Sequence, residues 1–400
     1  MKMETEMYTE SLVKFGKVRS EIRDVFEYSQ KRKAEIGEEN VFDFSIGNPS
    51  VPAPECVNDA IKELIETSDS LSLHGYTSAQ GDAKVRETVA NHLNKRFDAG
   101  ISADNLYMTC GAAAGLSIVM NACMQPGEEC LVIKPYFPEY AVYIERSGAK
   151  TVEVDPEEKT LQLDIDNIEA AINEKTKAIV INSPNNPCGV VYKKEKIETL
   201  CELLEKKQEE YGHPIFIITD EPYRELIYDD IEVPYIINYY DNTFACYSYS
   251  KALSMPGERI GYIVVSPKIA NYEDAYAAVC GSGRALGYVC APSLWQKVTA
   301  MCIDATADIS IYKKNRDLFY NSLTEMGFEC VYPDGAFYLF MKAKGEDSRA
   351  FAGKCKEHEI LVVPADSFGM PGYVRISYCV NTKQIEDALP AFETLAEEYK

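Results

Sequence analysis

Residues 248–262 read Ser-Tyr-Ser-Lys-Ala-Leu-Ser-Met-Pro-Gly-Glu-Arg-Ile-Gly-Tyr, and no other part of this 400-residue chain is as informative. The lysine, Lys251, has an amine that can form a Schiff base with an aldehyde. Arg259, with the hydroxyls of Ser248 and Ser250, can hold a phosphate. The combination suggests pyridoxal phosphate, an aldehyde that carries a phosphate. Alone, the stretch fits equally well a solvated lysine and arginine beside a turn.

A carboxylate follows an apolar run upstream of the lysine. Pro214-Ile-Phe-Ile-Ile-Thr219 has the continuous apolar character of a buried parallel strand, and it leads into Asp220-Glu-Pro-Tyr223. A pyridoxal ring works as an electron sink only if its nitrogen stays protonated, which requires a nearby carboxylate. Asp220 is the candidate, and Tyr223 could reach the phenolic oxygen of the ring. Asp220 also suits a helix N-cap, and the two roles are compatible.

Three more segments of interest follow apolar strands. One is rich in amide side chains, one is a small-residue turn that opens a helix and offers N–H groups to an anion, and one carries an aromatic ring. Each alone also fits ordinary turn chemistry, close helix packing or a core aromatic. In the order just given, the strands and the segments after them are Ala178–Ile181 with Asn182-Ser-Pro-Asn-Asn-Pro-Cys-Gly189, Leu106–Thr109 with Thr109-Cys-Gly-Ala-Ala-Ala-Gly-Leu116, and Glu129–Ile133 with Lys134-Pro-Tyr-Phe-Pro-Glu-Tyr140.

In their order and spacing these motifs resemble class I/II (fold type I) pyridoxal-phosphate-dependent aminotransferases, in particular those for aspartate and aromatic amino acids. The resemblance covers about residues 42–375. One position departs from the pattern, since Cys188 stands where threonine is usual. The cofactor site that the resemblance implies consists of Lys251 as the Schiff-base lysine, Asp220 at the ring nitrogen, Tyr223 and Asn186 at the phenolic oxygen, Phe137 stacked on the ring, Gly111, Ala112, Ala113, Ser248, Ser250 and Arg259 around the phosphate, and Tyr76 reaching the phosphate of a neighbouring subunit.

The resemblance also implies residues that bind the substrate. Arg375, in Pro371-Gly-Tyr-Val-Arg-Ile-Ser377, corresponds to an arginine that grips the α-carboxylate, which suits a planar guanidinium. Asn186 helps to anchor the same group, and the backbone of Gly47 borders it. Phe337 is a candidate for approaching the substrate. Arg284 is either a reader of a side-chain carboxylate or an interface arginine, and the sequence does not decide between the two.

The implied fold class is α/β: a large domain with a mixed, mostly parallel seven-stranded sheet covered by helices, plus a smaller α+β domain. The expected division is residues 1–50 as an N-terminal arm and part of the small domain, 51–308 as the large cofactor-binding domain, and 309–400 as the small C-terminal domain. Periodicity predicts helices over Pro54–Thr67, 195–211 and Thr382–Tyr399, and strands over Thr243–Tyr247 and Gly335–Phe340.

Composition limits the partners. With 41 basic and 63 acidic residues the net charge is −22, which argues against nucleic acid and anionic membranes. Thirteen cysteines without a paired spacing, and a polar N-terminus without a signal peptide, predict a cytoplasmic protein. The four histidines show no metal-binding pattern, and no apolar run reaches transmembrane length. The expected partners are an amino acid, a 2-oxo acid and a second copy of the chain.

The predicted function is transfer of the α-amino group of an L-amino acid, aspartate and/or aromatic, to 2-oxoglutarate by a ping-pong mechanism. Lys251, Asp220 and Tyr223 are the expected catalytic residues. Fold and cofactor do not fix the reaction, so a β-elimination C–S lyase remains an alternative. A non-enzymatic regulator is a third hypothesis, which the acidic charge and the short segment before Phe42 oppose.

Overall fold

A computed structural model describes residues 8–17, 20–345 and 347–400. Within these ranges the α-helices are α1 Glu10–Lys17, α2 Glu21–Ile36, α3 Glu55–Thr67, α4 Ser70–His74, α5 Ala83–Phe97, α6 Ala112–Cys123, α7 Glu139–Ser147, α8 Ile165–Ala171, α9 Lys194–Tyr211, α10 Tyr249–Ala252, α11 Tyr272–Leu286, α12 Ser293–Met301, α13 Ser310–Glu325, α14 Ser348–Glu357 and α15 Thr382–Glu397.

The strands alternate with these helices along most of the chain. They are β1 Phe42–Asp43, β2 Leu106–Thr109, β3 Glu129–Ile133, β4 Lys150–Val154, β5 Thr176–Asn182, β6 Phe216–Asp220, β7 Thr243–Ser248, β8 Gly261–Val265, β9 Cys330–Val331, β10 Tyr338–Lys342, β11 Ile360–Leu361, β12 Val363–Pro364 and β13 Tyr373–Ser377.

Seven strands form one sheet in the order β2-β8-β7-β6-β5-β3-β4. Every neighbouring pair is parallel except the two that involve β8. This confirms the predicted mixed, mostly parallel seven-stranded sheet. Because βαβ connections place helices on both faces of such a sheet, six of its strands are largely buried, whereas the edge strand β4 is polar and partly exposed.

Both faces of the sheet are buried, and successive residues of a strand belong to different hydrophobic clusters. In β6, Phe216 and Ile218 pack with α6, α7 and α11, whereas Ile217 packs on the opposite side with α8 and α9. On that second side the β2–β8 end of the sheet is covered by α3, α5 and α12. The uninterrupted apolar runs of the sequence have this two-sided burial as their physical cause.

The smaller sheets lie outside this α/β unit. Strands β12, β13, β10 and β9 form a four-stranded antiparallel sheet, and β1 pairs with β11 in parallel. Their core includes residues from α13, α14 and α15. No α-helix within the described ranges is long and apolar enough to cross a membrane.

Most of the elements predicted from periodicity are present to within two residues, but one strand prediction was wrong at its start. A strand was expected from Gly335, whereas β10 begins at Tyr338. Ala336 has a positive φ of 56°, and the N–H groups of Gly335 and Ala336 donate to the carbonyls of Gly189 and Leu226. Residues 335–337 therefore form a turn against other loops, because left-handed backbone cannot continue a strand.

Candidate active site

The carboxyl ends of the parallel strands meet at one edge of the large sheet, as expected for the ligand crevice of an open α/β fold. The segments after β2, β3, β5, β6 and β7 all begin there, and β8, which runs the other way, starts at this edge just after Arg259. They enclose a cavity of about 290 Å³. It is lined by Ile22, Gly47, Ala112, Ala113, Leu116, Phe137, Asn186, Asp220, Pro222, Tyr223, Ser248, Ser250, Lys251, Pro256, Arg259, Tyr338 and Arg375.

Lys251 lies on the short helix α10, directly after β7, and its helix is capped by Ser248, whose side chain accepts from the N–H of Ser250. Its Nζ donates to the carbonyl of Gly47 at 2.7 Å and lies 5.3 Å from the ring centre of Phe337. Burial lowers the pKa of Lys251 to about 8. A minor fraction of the amine is therefore neutral near physiological pH, and a neutral amine can act as a nucleophile or a base.

Asp220 ends β6 at the centre of the sheet and is 5% exposed. The Tyr140 hydroxyl donates to its Oδ2 at 2.6 Å, while Oδ1 has no hydrogen-bond donor among the described residues. Burial raises the pKa of Asp220 to about 7; the Tyr140 hydrogen bond opposes the shift and the Glu221 charge adds to it. A buried carboxylate with one free oxygen is suited to a cationic partner brought by a ligand.

A polar subsite occupies the end of the cavity near β8. Arg259 Nη1 lies 3.5 Å from Ser250 Oγ, and the hydroxyls of Ser248 and Ser250 are 2.7 Å apart. Helix α6 begins at Ala112, after Gly111 with φ of 87°. A Cβ at Gly111 would lie 2.9 Å from Arg259 Nη2, so a side chain there would crowd the space beside the guanidinium. This end of the cavity is suited to an anion, because a guanidinium, two hydroxyls and the N-terminus of a 12-residue helix meet there.

A second guanidinium also lines the cavity. Arg375, on β13, is 2% exposed; its Nη1 donates to Asn186 Oδ1 at 3.1 Å and its Nη2 to the carbonyl of Ser45 at 2.6 Å. Its Nε has no acceptor in the described part of the chain, and the guanidinium lies 4.6 Å from the ring centre of Tyr338. A buried arginine without a carboxylate partner in the described structure is suited to binding an anionic ligand group.

Four residues predicted from the sequence are not among those that line the cavity. Gly111 borders it through its contact with Arg259, and Phe337 is fully buried behind Lys251. Tyr76 is 98% exposed in the single chain. Arg284 is exposed on α11.

Several site residues were missed in the sequence. Tyr140 lies in the first turn of α7, three positions after Phe137, and its place in the segment that follows β3 was the available signal. Tyr338, rather than its neighbour Phe337, faces the cavity, and its hydroxyl lies 2.9 Å from that of Tyr223. Asn182 supports the site by donating to the carbonyl of Asp220 at 2.8 Å. Ile22, on α2, also lines the cavity, and no sequence motif indicated this.

Comparisons with known proteins agree with this geometry. The family described as aminotransferase class I and II matches residues 39–392. An aspartate aminotransferase of Thermotoga maritima is 30% identical over 93% of this chain and 96% of its own, and an aromatic-amino-acid aminotransferase of Thermococcus litoralis is 30% identical over 95% and 96%. The crystal structure of an amino transferase from Eubacterium rectale is 55% identical, with a TM-score of 0.97 over 98% of this chain and 99% of that one.

The fold is thus that of a fold type I enzyme, with a mostly parallel sheet and a smaller α+β part. The chain belongs to the aminotransferase class I and II family. The family depends on pyridoxal 5'-phosphate, which is therefore the cofactor. The residues present fit this group. Lys251 offers an amine, and Asp220 offers a carboxylate oxygen that has no hydrogen-bond donor in the described structure. Arg259 offers a guanidinium beside Gly111, where a side chain would take up the space next to it.

Because the pKa of Asp220 rises from 3.8 to about 7 on folding, the stability of the cofactor-free protein should depend on pH. The folded state holds this proton more tightly than the unfolded state, so the contribution is complete below the unfolded pKa and is lost as the pH rises through about 7. We expect the melting temperature of the apoenzyme, relative to Asp220→Asn apoenzyme, to fall between about pH 4 and about pH 7. If the melting temperatures of the two apoenzymes changed in parallel with pH, the raised pKa of Asp220 would be contradicted.

Proposed function

We propose that this enzyme transfers the α-amino group of an L-amino acid to 2-oxoglutarate by a ping-pong mechanism, with aspartate or aromatic amino acids as donors. The observation that carries the proposal is one cavity that joins the Lys251 amine, the free oxygen of Asp220 and the Arg375 guanidinium. The donor class is supported by relatives named as aspartate and aromatic-amino-acid aminotransferases.

The residues divide the work as follows. Bound pyridoxal phosphate supplies an aldehyde for the amine and a ring that withdraws electrons from the α-carbon. Lys251 would hold the cofactor through its amine and would act as the general base at the α-carbon, since its lowered pKa of about 8 leaves a minor fraction of the amine neutral near pH 7. Asp220 keeps the ring nitrogen protonated, and Tyr223 with Asn186 binds the phenolic oxygen. Phe137 stacks on the ring.

The two guanidinium groups orient the reactants. Arg259, with Ser248, Ser250 and the Gly111–Ala113 turn, holds the phosphate, while Arg375 and Asn186 bind the α-carboxylate beside Gly47. Lys251 lines the same cavity as both guanidinium groups, so a donor bound by Arg375 would present its α-carbon to this amine. Arg375 is already positioned by Asn186 and Ser45, so little of its side-chain order has to be gained on binding.

The same proposal divides the chain into the large domain 51–308, the small domain 309–400 and a segment 1–50 shared between the N-terminal arm and the small domain. In support, the seven-stranded sheet uses only residues between 106 and 265, whereas the smaller sheets use 42–43 and residues from 330 to 377.

The proposal includes a homodimer in which Tyr76 reaches the cofactor phosphate of the other subunit. Its support is the exposure of this side chain, 98%, together with Leu71 at 87%. For Tyr76→Phe we expect the dimer to persist while the Kd for pyridoxal phosphate rises roughly tenfold to hundredfold, because a hydrogen bond to a charged group is worth about 1.5–3 kcal/mol. Sedimentation and cofactor titration test this, with Tyr399→Phe as control; a monomeric enzyme or an unchanged Kd would oppose it.

The decisive test of the function is the absorption spectrum of the cofactor-loaded protein during addition of single amino acids. Conversion to the pyridoxamine form, reversed by 2-oxoglutarate, supports transamination, and the fastest donor identifies the substrate class. Amines without a carboxylate should convert far more slowly if Arg375 binds that group. Pyruvate and ammonia released from a sulfur amino acid, without any oxo acid, would favour the C–S lyase instead.

A further inference from the structure

The segment from Asp220 to Glu225 presents two different sides. Asp220, Pro222 and Tyr223 line the cavity, whereas Glu221 and Arg224 are buried behind it, 4% and 3% exposed. None of the roles described above uses the rear residues. Burying a charged pair is costly unless the geometry is good, so a second charged cluster directly behind a cofactor site calls for an explanation.

Arg224 is the centre of this rear cluster. Its Nη1 donates to Glu221 Oε2 at 2.9 Å, its Nε to Glu225 Oε1 at 3.1 Å and its Nη2 to the Tyr262 hydroxyl at 2.9 Å. The guanidinium also lies 4.3 Å from the ring centre of Tyr247. All three of its nitrogens are therefore bound, and this planar three-way contact is one that a lysine could reproduce only in part.

The contact with Tyr247 links the cluster to the lysine segment. Tyr247 and Tyr249 alternate with Ser248 and Ser250, which face the cavity, and the rings of both tyrosines pack on Tyr262. The Tyr247 hydroxyl also donates to Glu225 Oε2 at 2.8 Å. Arg224 thus contacts, from behind the cavity, both the segment that carries Asp220 and Tyr223 and the segment that carries Lys251.

The cluster also balances charge. Glu221 is the residue next to Asp220, and its charge raises the pKa of that carboxyl. Arg224 pairs with Glu221, and Arg96 pairs with Glu225 at 2.8 Å, so each rear carboxylate has a cation. Without Arg224, an unbalanced buried carboxylate would stand beside Asp220.

We infer that Arg224 is a positioning residue for the cofactor: from behind the cavity it fixes the Asp220–Tyr223 wall against the Ser248–Lys251 wall and neutralises Glu221 beside Asp220. It touches neither cofactor nor substrate and acts through these residues. The inference rests on the proposed function only in placing the cofactor against Asp220 and Lys251.

The test is the affinity of the apoenzyme for pyridoxal phosphate, measured by titration, in Arg224→Gln and Arg224→Lys. We expect Kd to rise at least about tenfold in R224Q, since removing one partner of a buried ion pair leaves the other charge uncompensated. R224K should recover only part of this loss, because it keeps a cation near Glu221 but not the planar three-way contact. In the loaded enzymes, kcat should fall about tenfold while KM for the amino acid changes less than about twofold, because Arg375 is untouched.

Arg316→Gln is the matched control. Arg316 is also buried, lies between Tyr228 and Tyr332 with both ring centres at 4.9 Å, and pairs with Asp229 and Asp317, but it does not line the cavity. R316Q should lower the melting temperature as R224Q does and leave the cofactor Kd unchanged. Equal Kd values in wild type and R224Q would overturn the inference, as would equal losses in R224Q and R316Q. Failure of the wild-type apoenzyme to bind the cofactor would instead count against the proposed function.

Discussion

Replacement of Lys251 by alanine should give a protein that still binds pyridoxal phosphate but transaminates several orders of magnitude more slowly. The phosphate and ring contacts proposed for Arg259, Ser250 and Asp220 remain in this variant, so the cofactor has its non-covalent anchors. Proton transfer by a positioned base is worth about 10²–10⁴-fold, and the variant also loses the covalent anchor that an incoming amine exchanges with.

Single-turnover spectroscopy with a slow amino donor measures this loss directly. Lys177→Ala serves as the control, because Lys177 is a partly buried lysine that lies near Glu128 and the ring of Phe216, away from the cavity. It should leave the rate unchanged. Turnover in Lys251→Ala close to that of wild type would remove Lys251 from the mechanism. Added small amines should restore part of the rate if the missing group is a base.

The sequence revealed five of the seven strands of the large sheet, β2, β3, β5, β6 and β7, because these strands are almost entirely buried. Glu129–Ile133 and Leu106–Thr109 were predicted with the bounds that the structure has, since polar or turn residues border each apolar run. Gly335–Phe340 was harder, because a turn with positive φ at Ala336 has no apolar signature and depends on contacts with residues far away in sequence.

The site was predictable to the extent that each residue sits at a strand end. Asp220, Asn186 and Lys251 follow neighbouring parallel strands, so their convergence follows from topology. Tyr140 lies on helix α7, and Arg224 lies buried on the side of its loop that faces away from the cavity. Only the folded structure shows what these two residues contact. Arg284 and Tyr76 are exposed in the single chain, and neither lines the cavity.

Asp220→Asn should lower kcat/KM by roughly 150- to 5,000-fold, the second large effect expected in this enzyme. The amide keeps the shape of the side chain and can still accept from Tyr140, but it cannot pair with a protonated ring nitrogen. Loss of one partner of a buried charged pair costs about 3–5 kcal/mol, which corresponds to this range. Steady-state kinetics and cofactor titration of the same preparation separate the loss of catalysis from the loss of binding.

Tyr140→Phe provides the graded comparison. It removes the 2.6 Å hydrogen bond to Asp220 Oδ2 and leaves the charge. A hydrogen bond to a charged group is worth about 1.5–3 kcal/mol, so the expected loss is roughly tenfold to hundredfold, smaller than that of Asp220→Asn. The loss of activation free energy in the double variant should be smaller than the sum of the two single losses, because the tyrosine acts through the carboxylate. Equal effects of the two single variants would mean that the hydrogen bond, and not the charge of Asp220, is what the reaction requires.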